Sequence, residues 1–98
     1  MQKIIVGNWK LNLHHLEAIA HLQKINYSLS DKILSDVNVV VSPSHTSLRS
    51  IQTVIDTDNL KIETAAQDVS QYEDGSYTGE VSALQLSKLN IKWAIIGH

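Results

Sequence analysis

Cysteine is absent from the 98-residue sequence, so the chain can form neither a disulfide nor a thiolate metal site. Its absence fits a reducing compartment, where proteins keep few structural disulfides. The first three residues lead directly into an apolar run, without the small-residue cleavage site of a signal peptide. These absences predict a cytoplasmic chain.

Neither charge sign dominates, since the net charge is −2 and the eight Lys and Arg residues are scattered. A basic cluster that could serve as a footprint for nucleic acid is missing. No apolar run approaches the length that spans a bilayer. A hydrophobic content of 43% is ordinary for a soluble protein, and 98 residues suit one small domain. We therefore expect a soluble chain whose partners are neither nucleic acid nor membrane.

Strand-like and helix-like patterns alternate along the whole chain. Apolar, β-branched runs predict strands over residues 4–6, 37–42, 61–66 and 92–97. Apolar residues at three- and four-residue spacing predict three helices. The first covers residues 13–29, the second begins at an N-cap provided by Ser44 or Thr46, and the third covers residues 80–89. The single proline, Pro43, ends the second strand. Such alternation indicates a parallel sheet with helical crossovers.

The sequence also predicts where these helices begin and end. Asn12 is the expected N-cap of the first helix, whose buried face includes Leu16, and residues 30–32 form a polar stop after it. Glu80 is expected in the first turn of the third helix, where an acidic side chain suits the helix dipole. Asn90 stands where a left-handed residue commonly follows a helix.

Two polar side chains, Asn8 and Lys10, follow the first strand at once. Ligands of parallel α/β proteins bind just beyond the carboxyl ends of the strands, so these two side chains stand where a site is expected. The alternative is a strand covered on both faces and followed by a solvated lysine. Farther along, residues 67–79 are polar and without periodicity, and a loop of that length is more often functional or interfacial than idle.

Four separated stretches resemble the triosephosphate isomerase family in order and spacing. They are GNWKLN at 7–12, AAQD at 65–68, YTGEVS at 77–82 and WAIIGH at 93–98. The resemblance implies a parallel (β/α)8 barrel, which needs roughly 250 residues. Residues 1–98 would then be the N-terminal part of a single barrel domain. They would form a half-barrel of four strands and three helices that ends at the family's catalytic histidine.

The resemblance also implies a function for individual residues. The family interconverts glyceraldehyde 3-phosphate and dihydroxyacetone phosphate through an enediolate, with no metal or cofactor. His98 would be the electrophile that donates to the substrate oxygens, Lys10 would supply positive charge to the phosphate and the enediolate, and Asn8 would hydrogen-bond to substrate. Thr78 would reach the active site of the partner subunit in a homodimer. Tyr77, Gly79 and Gln67 would belong to the same interface.

The sequence departs from the family at Ser42-Pro43-Ser44-His45, where a pair of prolines and an aromatic residue are usual. The family's general-base glutamate, its lid and its main phosphate-binding loops come after the stretch that matches residue 98. The 98-residue chain alone is therefore expected to be inactive. One alternative is a non-catalytic half-barrel that binds phosphate or a partner. Another is a flavodoxin-like fold, which the lack of a glycine-rich loop after the first strand disfavours.

The remaining histidines and the tryptophans have simpler interpretations. His14, His15, His21 and His45 lack the helical spacing of metal ligands, so we expect solvated surface side chains. Trp9 and Trp93 are expected to pack rather than to bind a ligand.

Overall fold

The computed structural model describes residues 2–98, which form four strands and four helices. The strands are β1 (Lys3–Asn8), β2 (Val37–Ser42), β3 (Glu63–Ala66) and β4 (Trp93–Ala94). The helices are α1 (His15–Ser28), α2 (Asp31–Asp36), α3 (His45–Asp58) and α4 (Ala83–Lys88). No helix within residues 2–98 has both the length and the apolar composition that crossing a bilayer requires.

The strands form one parallel sheet in the order β1-β2-β3-β4, which confirms the predicted parallel α/β fold. β1 and β2 pair along their whole length, from Lys3 opposite Val37 to Asn8 opposite Ser42. Since all four strands run the same way, their carboxyl ends meet at one edge of the sheet. The four strands form the half-barrel that the resemblance implied.

β1 is far more exposed than its apolar sequence predicts. Ile4, Ile5 and Val6 are 45%, 58% and 47% exposed, so β1 is not covered on both faces within residues 2–98. Within residues 2–98, β1 lies at the edge of the sheet and pairs with β2 alone, while α1 packs mainly against α3. An apolar run in a parallel strand is buried only where neighbouring strands and helices cover it.

α1 begins two residues later than predicted, and Asn12 is not its N-cap. Leu13 has a left-handed backbone with φ 68°, which delays the first helical turn. His14 caps the helix instead, because its ring accepts from the Glu17 N–H while the Glu17 carboxylate accepts from the His14 N–H. The Asn12 amide donates to the Trp9 carbonyl at 2.8 Å. The buried face is also shifted, since Leu16 is 64% exposed.

An additional helix, α2, lies where a polar stop was predicted at residues 30–32. The Ser30 hydroxyl accepts from the Ile33 N–H at 3.2 Å, which caps the new helix, and Asp31 follows in its first turn. Ser30-Asp31 is thus a helix start rather than a turn, and the predicted count of three helices is wrong.

α4 is shorter than the helix predicted over residues 80–89. Ser82 caps it in a capping box with Gln85, so Glu80 lies outside the helix rather than in its first turn. Leu86 is the buried leucine of this helix, whereas Leu84 is 45% exposed. Asn90 has φ 64°, which confirms the left-handed residue predicted after the helix.

The core consists of two apolar clusters that share α3. The first lies between α1, α3 and the sheet and contains Ala18, Leu22, Val41, Ile51, Ile55 and Ile62. The second lies between α3, β3 and α4 and contains Leu48, Ala66, Leu86 and Ile91. Because α3 contributes to both clusters, it fixes β2 and β3 in relation to the helices on either side. The carboxyl edge of the sheet is thereby held on a packed support.

Candidate active site

The carboxyl edge of the sheet carries an open cavity of about 500 Å³. Its walls combine an ammonium, an imidazole, a carboxylate and two side-chain amides with three less polar residues. The lining residues are Asn8, Lys10, Leu11, Gln67, Asp68, Ile95, Gly97 and His98. Asn8, Lys10 and His98, which the sequence analysis selected, therefore meet in one cavity although they follow the first and last strands of the sheet.

Asn8 and Lys10 are fixed to each other by a tight turn after β1. The Asn8 Oδ1 accepts from the Lys10 backbone N–H at 2.9 Å. This bond uses the acceptor end of the amide, and the Nδ2 donors of Asn8 have no partner within residues 2–98. Asn8 can therefore present hydrogen-bond donors to a ligand in the cavity, beside the Lys10 ammonium.

His98 reaches the cavity from the extension of β4. The Ile95 N–H donates to the Ala66 carbonyl at 2.8 Å, which continues the pairing with β3 beyond the last strand residue. Gly97 then adopts φ 73°, a conformation that favours glycine. The exposed imidazole that follows forms no hydrogen bond within the described part of the chain, so its ring nitrogens can serve a ligand.

The sequence of this chain also matches the model of a known protein family. The model described as "Triosephosphate isomerase" matches residues 3–98, nearly the whole chain. The chain belongs to the triosephosphate isomerase family. The four parallel strands are accordingly the first half of that family's (β/α)8 barrel.

Named relatives agree with the family model. The chain is 53% identical over 95 residues to a triosephosphate isomerase of Mycobacterium sp. (strain JLS), covering 97% of the chain and 36% of that relative. It is 53% identical over 97 residues to that of Saccharopolyspora erythraea, and the match covers 99% of the chain and 37% of the relative. For Streptomyces avermitilis the identity is 50% over 95 residues, with 97% and 37% covered. The chain thus spans little more than a third of the length of these triosephosphate isomerases.

Gln67 lies in the cavity wall, and its side-chain amide is hydrogen-bonded to two backbone carbonyls. Its Nε2 donates to the Lys10 carbonyl at 2.8 Å and to the Ser42 carbonyl at 2.9 Å. The family resemblance implies that Gln67 belongs to a dimer interface, and that role stays a prediction. No local pattern in the sequence indicates that Gln67 also connects the ends of β1, β2 and β3.

Asp68 is a cavity residue that the sequence analysis did not select. It is the second residue after β3 and adds a carboxylate to the cavity wall. The charge of this carboxylate is opposite to that of Lys10. The rule that drew attention to Asn8, polar residues just past a parallel strand, applies equally to Asp68. The polar loop that begins there obscured the signal.

The three other predicted interface residues lie away from the cavity. Tyr77, Thr78 and Gly79 are exposed at the far end of the loop, where the ring of Tyr77 stacks on that of Tyr72 with 3.9 Å between centroids. The Tyr77 carbonyl accepts from the Glu80 N–H, which closes a turn around Thr78. The structure therefore presents this part of the loop as an ordered, exposed surface. Its role in a dimer stays a prediction.

The four remaining histidines are exposed, as the sequence analysis expected. His14 caps α1, and the ring of His21 meets the edge of the Trp9 ring with 5.0 Å between centroids. His15 and His45 are likewise at the surface. Within residues 2–98, no three His, Asp or Glu side chains come together in an arrangement that could hold a metal ion.

Proposed function

We propose that the full-length protein interconverts glyceraldehyde 3-phosphate and dihydroxyacetone phosphate by proton transfer through an enediolate. The observation that carries the proposal is the meeting of Asn8, Lys10 and His98 in one cavity of a triosephosphate isomerase segment. We place the protein in glycolysis and gluconeogenesis, in the cytoplasm, on the strength of the family. The reaction moves protons between adjacent carbons and requires no cofactor.

Lys10 would neutralise negative charge in this reaction. The substrate arrives with a phosphate, and further negative charge develops on oxygen as the enediolate forms. An ammonium already placed in the cavity stabilises both without reorganising during the reaction. Asn8 would add a hydrogen bond to substrate through its Nδ2, since its Oδ1 is occupied by the Lys10 N–H.

His98 would donate a hydrogen bond to the substrate oxygens from the wall of the same cavity. Donors aimed at an oxygen that gains charge stabilise the transition state more than the substrate, which is what raises the rate. A ring without a hydrogen-bond partner within residues 2–98 is suited to that task, because no bond to those residues has to be broken before it acts.

The carbon acid also needs a general base, and we propose that residues 1–98 alone do not supply it. The family's glutamate base corresponds to a later part of the relatives, of whose length the chain covers 36–37%. We therefore expect the 98-residue chain by itself to show no isomerase activity. We also propose that the full-length protein is a homodimer in which residues 67–79 contact the partner.

The test is an assay of glyceraldehyde 3-phosphate conversion by the full-length protein and two variants. His98→Gln and Lys10→Met should each lower kcat by about 10²- to 10³-fold, the usual cost of removing one donor to a developing oxyanion. The matched controls are His15→Gln and Lys24→Met, because both residues are exposed on α1 and should keep full activity. Unchanged kcat in the two cavity variants would overturn these assignments.

A second measurement separates catalysis from mere binding. Inorganic phosphate is titrated into the full-length protein while the amide signals of residues 8, 10 and 98 are followed by NMR. Conversion of triose phosphate together with phosphate-induced shifts supports the isomerase. Shifts without any conversion would instead favour the non-catalytic phosphate-binding module.

A further inference from the structure

Lys10 has a left-handed backbone conformation, with φ 54°. A residue with a Cβ atom rarely adopts this backbone conformation, because the Cβ atom causes steric strain that glycine avoids. Such a conformation persists only where the surroundings over-determine it. The question is therefore which groups of this chain hold residue 10 in place.

Every backbone polar group of Lys10 is occupied. Its N–H donates to the Asn8 Oδ1 at 2.9 Å. Its carbonyl accepts two bonds, one from the Gln67 Nε2 at 2.8 Å and one from the Ser44 hydroxyl at 3.1 Å. A carbonyl oxygen has two lone pairs, so its accepting capacity is fully used.

Ser44 is diverted from the task its position predicts. It is the N-cap residue of α3, where a serine hydroxyl commonly accepts from the first turn of the helix, yet it makes no such bond. Its hydroxyl donates to the Lys10 carbonyl instead, across 34 positions of the chain. The helix gives up a side-chain cap, and the turn at Lys10 gains a donor.

Gln67 makes the arrangement rigid because its amide spans two loops. The same Nε2 donates to the Ser42 carbonyl at 2.9 Å, and that carbonyl also accepts the Trp9 N–H at 3.0 Å. One amide group therefore joins the end of β3 to the ends of β1 and β2. A displacement of the Lys10 carbonyl would break its bonds to Gln67 and Ser44.

We propose that Gln67 and Ser44 are positioning residues for Lys10. By holding its carbonyl, they maintain the left-handed backbone that directs the Lys10 side chain into the cavity shared with Asn8 and His98. The proposal rests on the proposed isomerase function, in which that ammonium meets the substrate. A shift of about 1 Å in such a group can cost about 10²-fold in rate, so the hold on the backbone matters for catalysis.

Four substitutions distinguish the loss of a hydrogen-bond donor from a change in side-chain size or charge. Gln67→Glu keeps the size of the side chain but turns acceptor oxygens toward two carbonyls. Ser44→Ala removes the second donor, whereas Ser44→Thr retains a hydroxyl and should restore it. Gln23→Glu is the control for charge, because Gln23 is exposed on α1.

The first readout is the backbone of residue 10 in the full-length protein, measured through its ¹³Cα and ¹³Cβ chemical shifts. The wild type, Gln23→Glu and Ser44→Thr should show left-handed values. Gln67→Glu should move the shifts toward those of ordinary backbone, and Ser44→Ala should move them less. Left-handed values in the double variant Gln67→Glu/Ser44→Ala would overturn the proposal. This readout does not depend on activity, so it stands even if the protein fails to isomerise triose phosphate.

The second readout is kcat/KM for glyceraldehyde 3-phosphate. Gln67→Glu should lower it by about 10- to 100-fold, and Ser44→Thr should keep most of what Ser44→Ala loses. In a Lys10→Ala background, Gln67→Glu should cause no further loss, because its effect passes through Lys10. An equal loss in both backgrounds would show a general structural role and overturn the proposal. Absence of activity in the wild type would instead refute the proposed function.

Discussion

The indole N–H of Trp93 donates to the carboxylate of Glu63 at 2.6 Å, from β4 to β3. Both side chains are half-buried, and the backbone ladder between these strands pairs only Ala65 with Trp93 and Ala66 with Ala94. A charge-assisted bond therefore reinforces a strand pairing that has only two residue pairs. β4 leads to His98, so this bond also helps to place the cavity.

Removing that bond should weaken the protein measurably. Trp93→Phe keeps an aromatic ring but leaves the half-buried carboxylate without its donor, so we expect a loss of about 1–3 kcal/mol in the free energy of unfolding. Urea denaturation at one protein concentration measures it. Glu63→Gln keeps an acceptor oxygen and should lose less. Tyr27→Phe at an exposed position is the neutral control, and a midpoint for Trp93→Phe equal to this control would refute the assignment.

A second polar connection begins at Thr64, the residue that follows Glu63 in β3. The buried Thr64 hydroxyl donates to Gln52 Oε1, and Gln52 Nε2 donates to Asp56 Oδ1 at 2.8 Å. Gln52→Leu should cost about 1–3 kcal/mol in the free energy of unfolding, because it leaves the Thr64 hydroxyl without an acceptor.

Adding Thr64→Val to Gln52→Leu tests the cause of that loss. Replacing both partners by apolar groups of similar shape removes the unsatisfied hydroxyl, so the double variant should regain most of the stability in the same urea experiment. Thr57→Val on the exposed side of α3 serves as the matched control. A double variant as unstable as the sum of the single changes would contradict this explanation.

Two leucines of α1 should respond very differently to truncation. Leu22 is fully buried against α3, so Leu22→Ala should cost about 2–5 kcal/mol in the free energy of unfolding. Leu16 is 64% exposed, and Leu16→Ala should change stability by less than about 0.5 kcal/mol. Thermal or urea unfolding measures the loss of stability in each variant. Equal losses would mean that the buried face of α1 is assigned wrongly.

The proposed dimer interface can be tested through the same full-length protein. Tyr77→Asp together with Thr78→Asp places two charges on the exposed end of the loop and should shift sedimentation toward monomer, because buried unpaired charges are costly. Tyr27→Asp on α1 is the control, since Tyr27 is 93% exposed. A double variant that sediments as the wild-type dimer would refute the assignment of residues 67–79 to the interface.

The parallel α/β fold could be predicted because its signals are local. β2 has the bounds predicted for it, and Asn90 has the predicted left-handed backbone. Both features depend on neighbouring residues in the sequence: a β-branched run for the strand and a residue type that suits a helix end. The start of α1 was not predicted correctly, because the left-handed backbone of Leu13 belongs to the loop that carries Lys10 and only the folded loop imposes it. The exposure of β1 depends on which strands and helices surround it, and no pattern within the strand reports that.

The candidate site could be predicted in part, for the same reason. Asn8 and Lys10 stand where the first predicted strand ends, and the family resemblance points to His98, so the sequence alone indicates all three. The bonds of Gln67 and Ser44 to the Lys10 carbonyl join residues 57 and 34 positions apart. Glutamine and serine in a polar loop carry no local mark of such long-range bonds. Only the packing of the strand ends against one another brings them together.

The strand order β1-β2-β3-β4 follows the order in which the ribosome makes the strands. Each strand can therefore add to an edge that already exists, and no pairing within residues 2–98 has to wait for a distant part of the chain. N-terminal segments generally fold first during synthesis. The free edge of β1 is different, because nothing made later within residues 2–98 covers it. With Ile4, Ile5 and Val6 exposed beside that edge, β1 offers the nascent chain a site for unwanted pairing with other strands.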